Sequence, residues 1–303
     1  MTYSGDAAGF DLLSITCCPR CRRPLLNDWS CPACGPYPVV DGKPVLIDFE
    51  RSIVDRAQFE QTGGASSITR KRPQWMRAVR TVLFGTNTVA ASFADELGRR
   101  LPGGRLLVIG GGAIGNGAGS LYSAMQVVGT DIYLTPHVAL AADGHHLPFR
   151  DGSFDAVWIQ AVLEHVLSPE QIAGEIHRVL KPDGLVYANT PFMQQVHEGP
   201  YDFQRFTLSG HRWLFRRFTE IDSGVTKGAG TALIWSIRYF VRALLGARAG
   251  QAAALLFFWL RFFDGHSRRQ ADGASGVYFF GARSESEIAP ADIVAFYARQ
   301  GRR

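Results

Sequence analysis

The segment from Leu106 to Asp131 constrains the fold of this chain more than any other part of the sequence. A short apolar run leads into the glycine-rich turn G-G-G-A-I-G-N-G, and a second apolar run ends on Asp131. Asp131 follows Gly110 by 21 residues, close to the ~20 residues that separate a nucleotide-binding glycine turn from the acid that binds a ribose. The segment therefore predicts two strands joined through a turn that binds an adenosine-containing cofactor.

The glycine pattern alone does not identify this cofactor. Gly110, Gly112 and Gly115 form G-x-G-x-x-G. Dehydrogenases, flavoproteins and methyltransferases share this pattern, because glycine lets the backbone approach a ligand closely. The flanking strands favour a ligand site over a glycine-rich surface loop. The choice among these classes depends on the residues that follow Asp131.

The cysteines are confined to a short stretch near the start of the chain. All five lie between Cys17 and Cys34, and the preceding residues lack the pattern of a secretory signal. Crowded cysteines in this context favour a metal over disulfides and predict a cytoplasmic protein. Two C-x-x-C pairs supply a complete tetrahedral set for a structural Zn²⁺, and a reduced cluster without metal is the alternative. The predicted ligands are Cys18, Cys21, Cys31 and Cys34.

The composition along the chain predicts three parts. Residues 1–49 form a zinc module that ends in a β-hairpin, because Y-P-V-V-D-G-K-P-V-L-I places an Asp-Gly turn between strand-forming residues. Residues 50–98 form a polar linker, followed by helices over Trp75–Phe84 and Thr88–Arg99. Residues 99–303 form the main domain, with a helical insertion over residues 226–270.

Three further sequence blocks narrow the choice of cofactor. L-P-F-R-D-G-S-F-D-A-V, V-L-E-H-V and R-V-L-K-P-D-G occur in this order between residues 104 and 191. In this combination the chain resembles class I S-adenosylmethionine-dependent methyltransferases of the methyltransferase 11 type. Residues 15–49 resemble a Trm112-like zinc ribbon. The resemblance implies an α/β, Rossmann-like sheet of seven mostly parallel strands, whose last strand is antiparallel.

The resemblance also implies S-adenosylmethionine as the cofactor and gives roles to single residues. Asp131 would bind the ribose hydroxyls, Asp143 would accept a hydrogen bond from the adenine amino group, and Gln160 would lie near the methionine end. At Val108 the chain departs from the family pattern, which often has an acid there. The implied cofactor-binding set is Gly110, Gly112, Gly115, Asp131, Ile132, Asp143, Gly144, His145 and Gln160.

Candidate catalytic residues follow the fourth and fifth predicted strands, at the edge where open α/β sheets form their crevice. Gln160 ends the fourth strand. The E-H pair of the block V-L-E-H-V, whose second residue is His165, follows in an expected helix. Helix packing is the alternative role for His165. His197 lies in a polar loop after the fifth strand and is a candidate general base or substrate orienter. In the same loop, Asp202 and Arg205 are spaced to pair with each other.

The C-terminal third and the charge suggest the acceptor. The helical segment Ala232–Phe263 is rich in aromatic residues and leucine, with Arg238 and Arg242 on one face. Such a pattern can cover a lipid-linked substrate or touch a membrane peripherally. The commoner explanation is a helical insertion that packs over the active site. We predict a small-molecule, lipid-linked or natural-product acceptor. The net charge of +5 permits nucleic acid, so an RNA methyltransferase is one alternative, and a non-catalytic binding protein is another. The oligomeric state is not predicted.

Overall fold

The computed structural model describes residues 11–65, 85–265 and 268–300. The helix predicted over Trp75–Phe84 lies outside the described residues. The described α-helices are α1 (Leu12–Ile15), α2 (Arg56–Gln61), α3 (Thr88–Arg100), α4 (Leu121–Ala124), α5 (Pro169–Val179), α6 (Leu208–Leu214), α7 (Ala229–Leu245), α8 (Ala247–Leu256) and α9 (Pro290–Gln300). The described strands are β1 (Ser30–Cys31), β2 (Gly35–Pro36), β3 (Val39–Val40), β4 (Lys43–Leu46), β5 (Arg105–Ile109), β6 (Gln126–Asp131), β7 (Leu140–Ala142), β8 (Phe154–Gln160), β9 (Leu180–Pro191), β10 (Phe218–Lys227) and β11 (Gly276–Arg283).

Nine of these strands form one central sheet within the described ranges, in the order β10-β11-β9-β8-β5-β6-β7-β4-β3. The neighbours from β9 to β4 run parallel to one another. Strand β11 lies antiparallel between β9 and β10. The seven strands from β5 to β11 confirm the predicted mostly parallel α/β sheet with an antiparallel last strand.

The zinc module contributes two strands that were not predicted to join this sheet. Its hairpin forms as expected, with positive φ angles at Asp41 and Gly42, as a two-residue turn requires. Val45 and Leu46 of β4, both fully buried, then pair in parallel with the edge strand β7. An edge strand offers unpaired backbone groups, so the hairpin completes the sheet by satisfying them. The division of the chain into domains at residue 49 stays a prediction.

The strand order places a crevice above β5 and β8. The crossover from β5 leads to β6 on one side, and the crossover from β8 leads to β9 on the other. Ligands bind at such a switch point, outside the carboxyl ends of the strands. Strand β5 ends directly before Gly110, and β8 ends at Gln160. The glycine turn and the candidate catalytic residue therefore meet at this crevice.

Helices cover both faces of the sheet and explain the residue at position 108. Leu107 and Ile109 of β5 belong to one apolar cluster, while Leu106 and Val108 belong to the other. Strands buried on both faces read as continuous apolar runs, which is why β5 was recognisable in the sequence. Val108 packs in the cluster that contains Ala90 of α3. Val108 is only 7% exposed, so an apolar side chain suits this position.

His211 of α6 is a titratable group within the apolar core. Its ring is fully buried near Phe206 and Phe215, and burial lowers its pKa from 6.5 to about 3. The unfolded chain takes up this proton below its ordinary pKa, so acidification favours unfolding. We expect His211→Phe to remove this effect, with a gain over wild type of up to about 1.4 kcal/mol for each pH unit below 6.5. Urea unfolding at pH 5 and pH 8 checks this; an equal difference at both pH values contradicts it.

Candidate active site

Two glycines of the turn after β5 lie where a side chain would strike a neighbouring site residue. A Cβ on Gly112 would lie 2.6 Å from Asp131 Oδ2, and a Cβ on Gly115 would lie 2.6 Å from Gln160 Oε1. The turn therefore runs directly over the ends of β6 and β8. The structure brings these four predicted residues together at the crevice.

The Asp131 carboxylate is fixed at the end of β6 by backbone donors. The amide of Gly112 donates to Oδ2 at 2.9 Å, and the amide of Tyr133 donates to Oδ1 at 3.3 Å. Burial raises the pKa of this carboxyl group, although the backbone bonds oppose the shift. A carboxylate has about four acceptor positions, so two remain for the hydroxyls of a ribose.

Alanine at Gly112 should weaken cofactor binding. The added Cβ would press on Asp131 Oδ2 and displace either the turn or the carboxylate. We expect the affinity for S-adenosylmethionine to fall by about 10- to 100-fold, since a lost charge-assisted bond costs about 1.5–3 kcal/mol. Gly119→Ala is the matched control, because its Cβ would meet no atom within 4 Å. Isothermal calorimetry measures both affinities, and equal losses in the two variants would contradict the assignment.

Asp143, at the end of β7, is held by a network that includes the segment before α2. Its Oδ2 accepts from Ser52 Oγ at 2.5 Å, and its Oδ1 accepts from the His145 amide at 2.9 Å. His145 Nδ1 lies 2.6 Å from the same Oδ1, and its Nε2 accepts from the Ser168 amide. Burial raises the pKa of Asp143, but these bonds outweigh it and lower the pKa overall. Gly144 packs against Ile172 of α5.

The side-chain amide of Gln160 links the end of β8 to the glycine turn. Its Oε1 accepts from Trp158 Nε1 at 3.2 Å, and its Nε2 donates to the Asn116 carbonyl at 3.2 Å. Gln160 therefore lies at the crevice as predicted and orders the backbone of the turn. A direct role in methyl transfer stays a prediction.

The chain turns sharply after β8, and this turn positions the E-H pair. Ala161 has φ +55°, a left-handed conformation that non-glycine residues rarely adopt outside functional sites. Val162 follows, and its Cγ2 occupies the space that a Cβ on Gly110 would need, at 2.2 Å. A short 3₁₀ turn, Leu163–His165, replaces the helix expected here, so the helical prediction was wrong. The turn points the Glu164 side chain into the protein, where it is fully buried.

Glu164 faces two histidines. His165 Nε2 lies 3.5 Å from Glu164 Oε1, and His197 Nε2 lies 4.0 Å from the same oxygen. The ligand atoms of these three residues all lie within 4.8 Å of one another. Among the described residues, neither oxygen of Glu164 has a hydrogen-bond partner. Burial raises the pKa of Glu164 to about 8.

The loop over residues 194–205 holds His197 in this arrangement. Asp202 Oδ2 accepts from the His197 amide at 2.8 Å and lies 3.3 Å from His197 Nδ1. Arg205 pairs with Asp202, as predicted, and also donates to the carbonyls of Gln194 and Gln195 at 2.9 and 3.2 Å. Burial raises the pKa of Asp202, but the bonds to Arg205 and His197 lower it overall to about 2.

A cleft lies beside Ile132, on the predicted adenine side of the site. Its walls also include Ile53, Tyr133 and Tyr201. Ile132 follows Asp131, and the Tyr201 carbonyl lies 2.7 Å from His165 Nδ1. Tyr201 therefore belongs to the wall of this cleft and also holds His165 through its carbonyl.

The four predicted zinc ligands converge in the N-terminal module. The sulfurs of Cys18, Cys21, Cys31 and Cys34 all lie within 4.8 Å of one another. The distance between Cys21 Sγ and Cys31 Sγ is 3.5 Å, as in a tetrahedral set rather than a disulfide. Tyr37 Oη lies 3.1 Å from Cys18 Sγ and supports it from outside the set. The donor set suits Zn²⁺, and the zinc ribbon stays a prediction.

Helices α7 and α8 and the 3₁₀ segment after them carry large apolar side chains on their outer surface. Tyr239 Oη of α7 donates to the Val196 carbonyl at 2.6 Å, next to His197. Within the described parts of the chain, every helix falls short of what a membrane crossing requires. The exposed apolar residues are Leu233, Phe240, Leu244, Leu245, Leu255, Leu256, Trp259, Phe262 and Phe263.

Sequence reasoning missed several supporting residues of this site. Ser52 lies in the segment assigned to a linker, and no local pattern links it to Asp143. Tyr201 contributes a backbone carbonyl, which leaves no signature in residue type. Glu164 was noted for its pattern, but its burial depends on the turn at Ala161. The Asp202–Arg205 spacing was the one available signal for the supporting loop.

Comparison with known proteins matches residues 109–188 to a family described as a methyltransferase domain. This segment contains the glycine turn, Asp131, Asp143 and the E-H pair. The match confirms the methyltransferase resemblance inferred from the three sequence blocks.

Individual relatives are similar over shorter stretches. Demethylmenaquinone methyltransferase from Lactobacillus johnsonii is 52% identical over 44 residues, which are 14% of this chain and 18% of that protein. An uncharacterized chloroplastic methyltransferase from Arabidopsis thaliana is 41% identical over 69 residues, which are 23% of this chain and 18% of that protein. The chain thus matches less than a fifth of the length of either relative. Phosphoethanolamine N-methyltransferase 2 from Haemonchus contortus, solved with S-adenosyl-L-methionine, has a TM-score of 0.46 at 17% identity and covers 76% of this chain and 59% of that chain.

Proposed function

We propose that this chain, whose residues 109–188 carry a methyltransferase domain, transfers a methyl group from S-adenosylmethionine to an acceptor. The observation that carries the proposal is the convergence of Gly112 on Asp131 and of Gly115 on Gln160 at the switch point of the sheet. These contacts leave no room for a side chain at either glycine, so the backbone of the turn stays free to approach a cofactor closely. NAD-linked oxidation would share the turn and the acid, but it does not account for the three sequence blocks.

The residues at the crevice fit the cofactor by their donors and acceptors. Asp131 would accept from the ribose hydroxyls, and Asp143 retains one acceptor position for the adenine amino group beside Ile132. S-adenosylmethionine supplies an activated methyl group, so the protein needs mainly to align the acceptor with it. Gln160 fixes the turn around the methionine end, and His165 and His197 border the acceptor end. These roles stay proposals for each residue.

The acceptor we favour has an apolar part. Helix α7 lies against the loop that carries His197, with Trp235 and His197 ring centroids 6.3 Å apart. The outer surface of α7 and α8 exposes large apolar residues, and Arg242 lies over the Tyr239 ring at 5.3 Å. A surface of this kind suits a lipid-linked acceptor or a peripheral membrane contact. A small molecule or natural product with an apolar body fits the same position.

Labelling with deuterated-methyl S-adenosylmethionine tests the function. The full chain is incubated with polar and organic-soluble extracts, and mass spectrometry identifies compounds that gain the label. We expect label in the organic-soluble fraction and none with the Asp131→Ala variant. Label in neither fraction, although S-adenosylmethionine binds, would support the non-catalytic binding protein instead.

RNA is the second candidate acceptor, and salt dependence distinguishes it. The net charge of +5 permits RNA binding, but the exposed surface beside the site is apolar rather than densely basic. Binding to RNA through phosphates would weaken steeply with rising salt. We expect weak RNA binding at physiological salt; labelled RNA in the extract would reverse this preference.

We further propose that the four-cysteine site holds a structural Zn²⁺. All four thiols would be ligands, so no position remains open for catalysis. Cysteines crowded in two C-x-x-C pairs suit metal binding in a reducing compartment better than disulfides. The cytoplasmic location stays a proposal on this ground.

A further inference from the structure

The Glu164, His165 and His197 side chains form a second cluster with metal-ligand chemistry, separate from the cysteines. Glu164 is fully buried, while the side chains of His165 and His197 are 20% and 23% exposed. The oxygen–nitrogen distances of 3.5 and 4.0 Å approach the ~3.0–3.4 Å between ligand atoms that bind one metal ion at ~2.1 Å. Small side-chain movements would close this set around an ion.

The hydrogen bonds of the histidines fix which ring nitrogen faces Glu164. His165 Nδ1 lies 2.7 Å from the Tyr201 carbonyl, which can only accept, so Nδ1 carries the proton. His197 Nδ1 lies 3.3 Å from Asp202 Oδ2 and 3.4 Å from the Gln195 carbonyl, both of which are acceptors. In the neutral form of each imidazole, Nε2 is therefore the nitrogen that presents a lone pair towards Glu164. Metal-binding histidines are held by the same kind of bond from the second nitrogen.

Three acceptors thus face one another without a donor between them. Both Glu164 oxygens are buried and without a hydrogen-bond partner among the described residues. Arg205 is the nearby cation, but it is paired with Asp202 on the far side of His197. An unpaired buried carboxylate costs several kcal/mol, so a cation or a proton must satisfy it.

We propose that Glu164, His165 and His197 bind a divalent transition-metal ion that receives the nucleophilic oxygen of the acceptor. Two imidazoles and one carboxylate favour Zn²⁺, Co²⁺, Fe²⁺ or Mn²⁺ over Mg²⁺, which prefers an oxygen shell. Three protein ligands leave positions open on the side where the imidazoles are exposed, as in catalytic sites. Tyr201, whose carbonyl holds His165, lies on the wall of the cleft beside Ile132.

The ion would activate a hydroxyl acceptor in the methyl transfer that the proposed function describes, and this role rests on that function. As a Lewis acid it lowers the pKa of the hydroxyl, whose proton leaves to water. The acceptor oxygen then forms the new O–CH₃ bond with its lone pair. The S–CH₃ bond breaks and its electron pair stays on sulfur. The products are the methyl ether, S-adenosylhomocysteine and one proton, so His165 and His197 act as ligands rather than as bases.

Cobalt titration of the full chain with its cysteine site filled by zinc tests the binding directly. Thiolates retain Zn²⁺, so added Co²⁺ should enter the histidine site and produce weak d–d absorption without sulfur charge transfer. We expect one further equivalent of Co²⁺ per chain. Glu164→Gln and His197→Gln should each weaken this binding more than about 100-fold, and Asp202→Asn about 10- to 100-fold, as supporting residues do. His137→Gln removes a half-buried histidine outside the cluster and should leave the affinity unchanged.

Two results would overturn the inference. One is a wild-type chain that holds a single zinc, at the cysteine site, and takes up no Co²⁺, which would assign the buried carboxylate a proton instead. The other is equal uptake by wild type and by Glu164→Gln. Calorimetry with S-adenosylmethionine on the same samples distinguishes failure of the metal site from failure of the proposed function. Cofactor binding without cobalt uptake would contradict only the metal site, and cobalt uptake without cofactor binding would contradict only the methyl transfer.

Discussion

Replacing Cys31 with serine should remove zinc from the chain and destabilise the N-terminal module. Cys31 is buried, and its sulfur lies 3.5 Å from that of Cys21. Without a cation the clustered thiols cannot all ionise: burial, followed by bonds to Cys21 and Cys18, raises the pKa of Cys34 to about 12. Structural zinc contributes about 10–16 kcal/mol of binding free energy in small modules, so losing one ligand should cost at least about 5 kcal/mol.

The measurement is zinc content by plasma mass spectrometry together with thermal unfolding. We expect about one zinc per wild-type chain, almost none in Cys31→Ser, and a midpoint lower by at least about 10 °C, since each kcal/mol shifts a large domain by about 2–4 °C. Cys17→Ser is the matched control, because Cys17 is equally buried but lies outside the four-sulfur set. Zinc retained by Cys31→Ser, or lost equally by Cys17→Ser, would refute the assignment.

Asp131→Ala should abolish measurable binding of S-adenosylmethionine. The variant loses the acceptor for two ribose hydroxyls and also the carboxylate that holds the Gly112 amide. Hydrogen bonds to a charged group contribute about 1.5–3 kcal/mol each, so the affinity should fall at least about 100-fold. Asp131→Asn keeps an oxygen for Gly112 and should lose less.

Calorimetry with purified protein compares these variants with Asp151→Asn, which alters an exposed carboxylate that pairs with Arg178 away from the crevice. Unfolding by urea confirms that each variant remains folded at the titration temperature. Wild-type affinity in Asp131→Ala would remove the basis for placing the ribose at β6. It would leave the predictions for zinc and for the histidine cluster untouched.

The central strands could be predicted from sequence because each one is specified by its own run of apolar residues. The sequence predicts strands over Arg105–Ile109, Gln126–Asp131 and Val138–Ala142. Strands β5 and β6 have these bounds, since parallel strands buried on both faces form apolar runs that stop at a glycine or an acid. Strand β7 is shorter than predicted, because the Val138 amide bonds to the Thr135 carbonyl in a turn instead of joining the ladder. The helical pair of the insertion was likewise recognisable, and Gly246, with φ +86°, separates α7 from α8.

The remaining features depend on contacts between distant segments. The pairing of Val45 with Ala141 leaves no mark in either segment, so the hairpin was predicted without its place in the sheet. The burial of Glu164 depends on the left-handed backbone conformation of Ala161, which cannot be predicted from an alanine in the sequence. Family patterns indicated the cofactor residues, but the facing lone pairs of His165 and His197 follow only from the Tyr201 and Asp202 contacts.

The parallel pairing between β4 and β7 has a consequence for synthesis of the chain on the ribosome. Strand β4 leaves the ribosome early with its apolar residues Val45 and Leu46 exposed, and its partner Ala141 is made much later. Because domains fold as their segments emerge, the nascent module carries a strand with unpaired backbone groups during this interval, and these groups can pair with another chain. A chain truncated between β4 and β7 would keep that strand exposed, so such fragments should aggregate or recruit chaperones even when zinc has already folded the cysteine module.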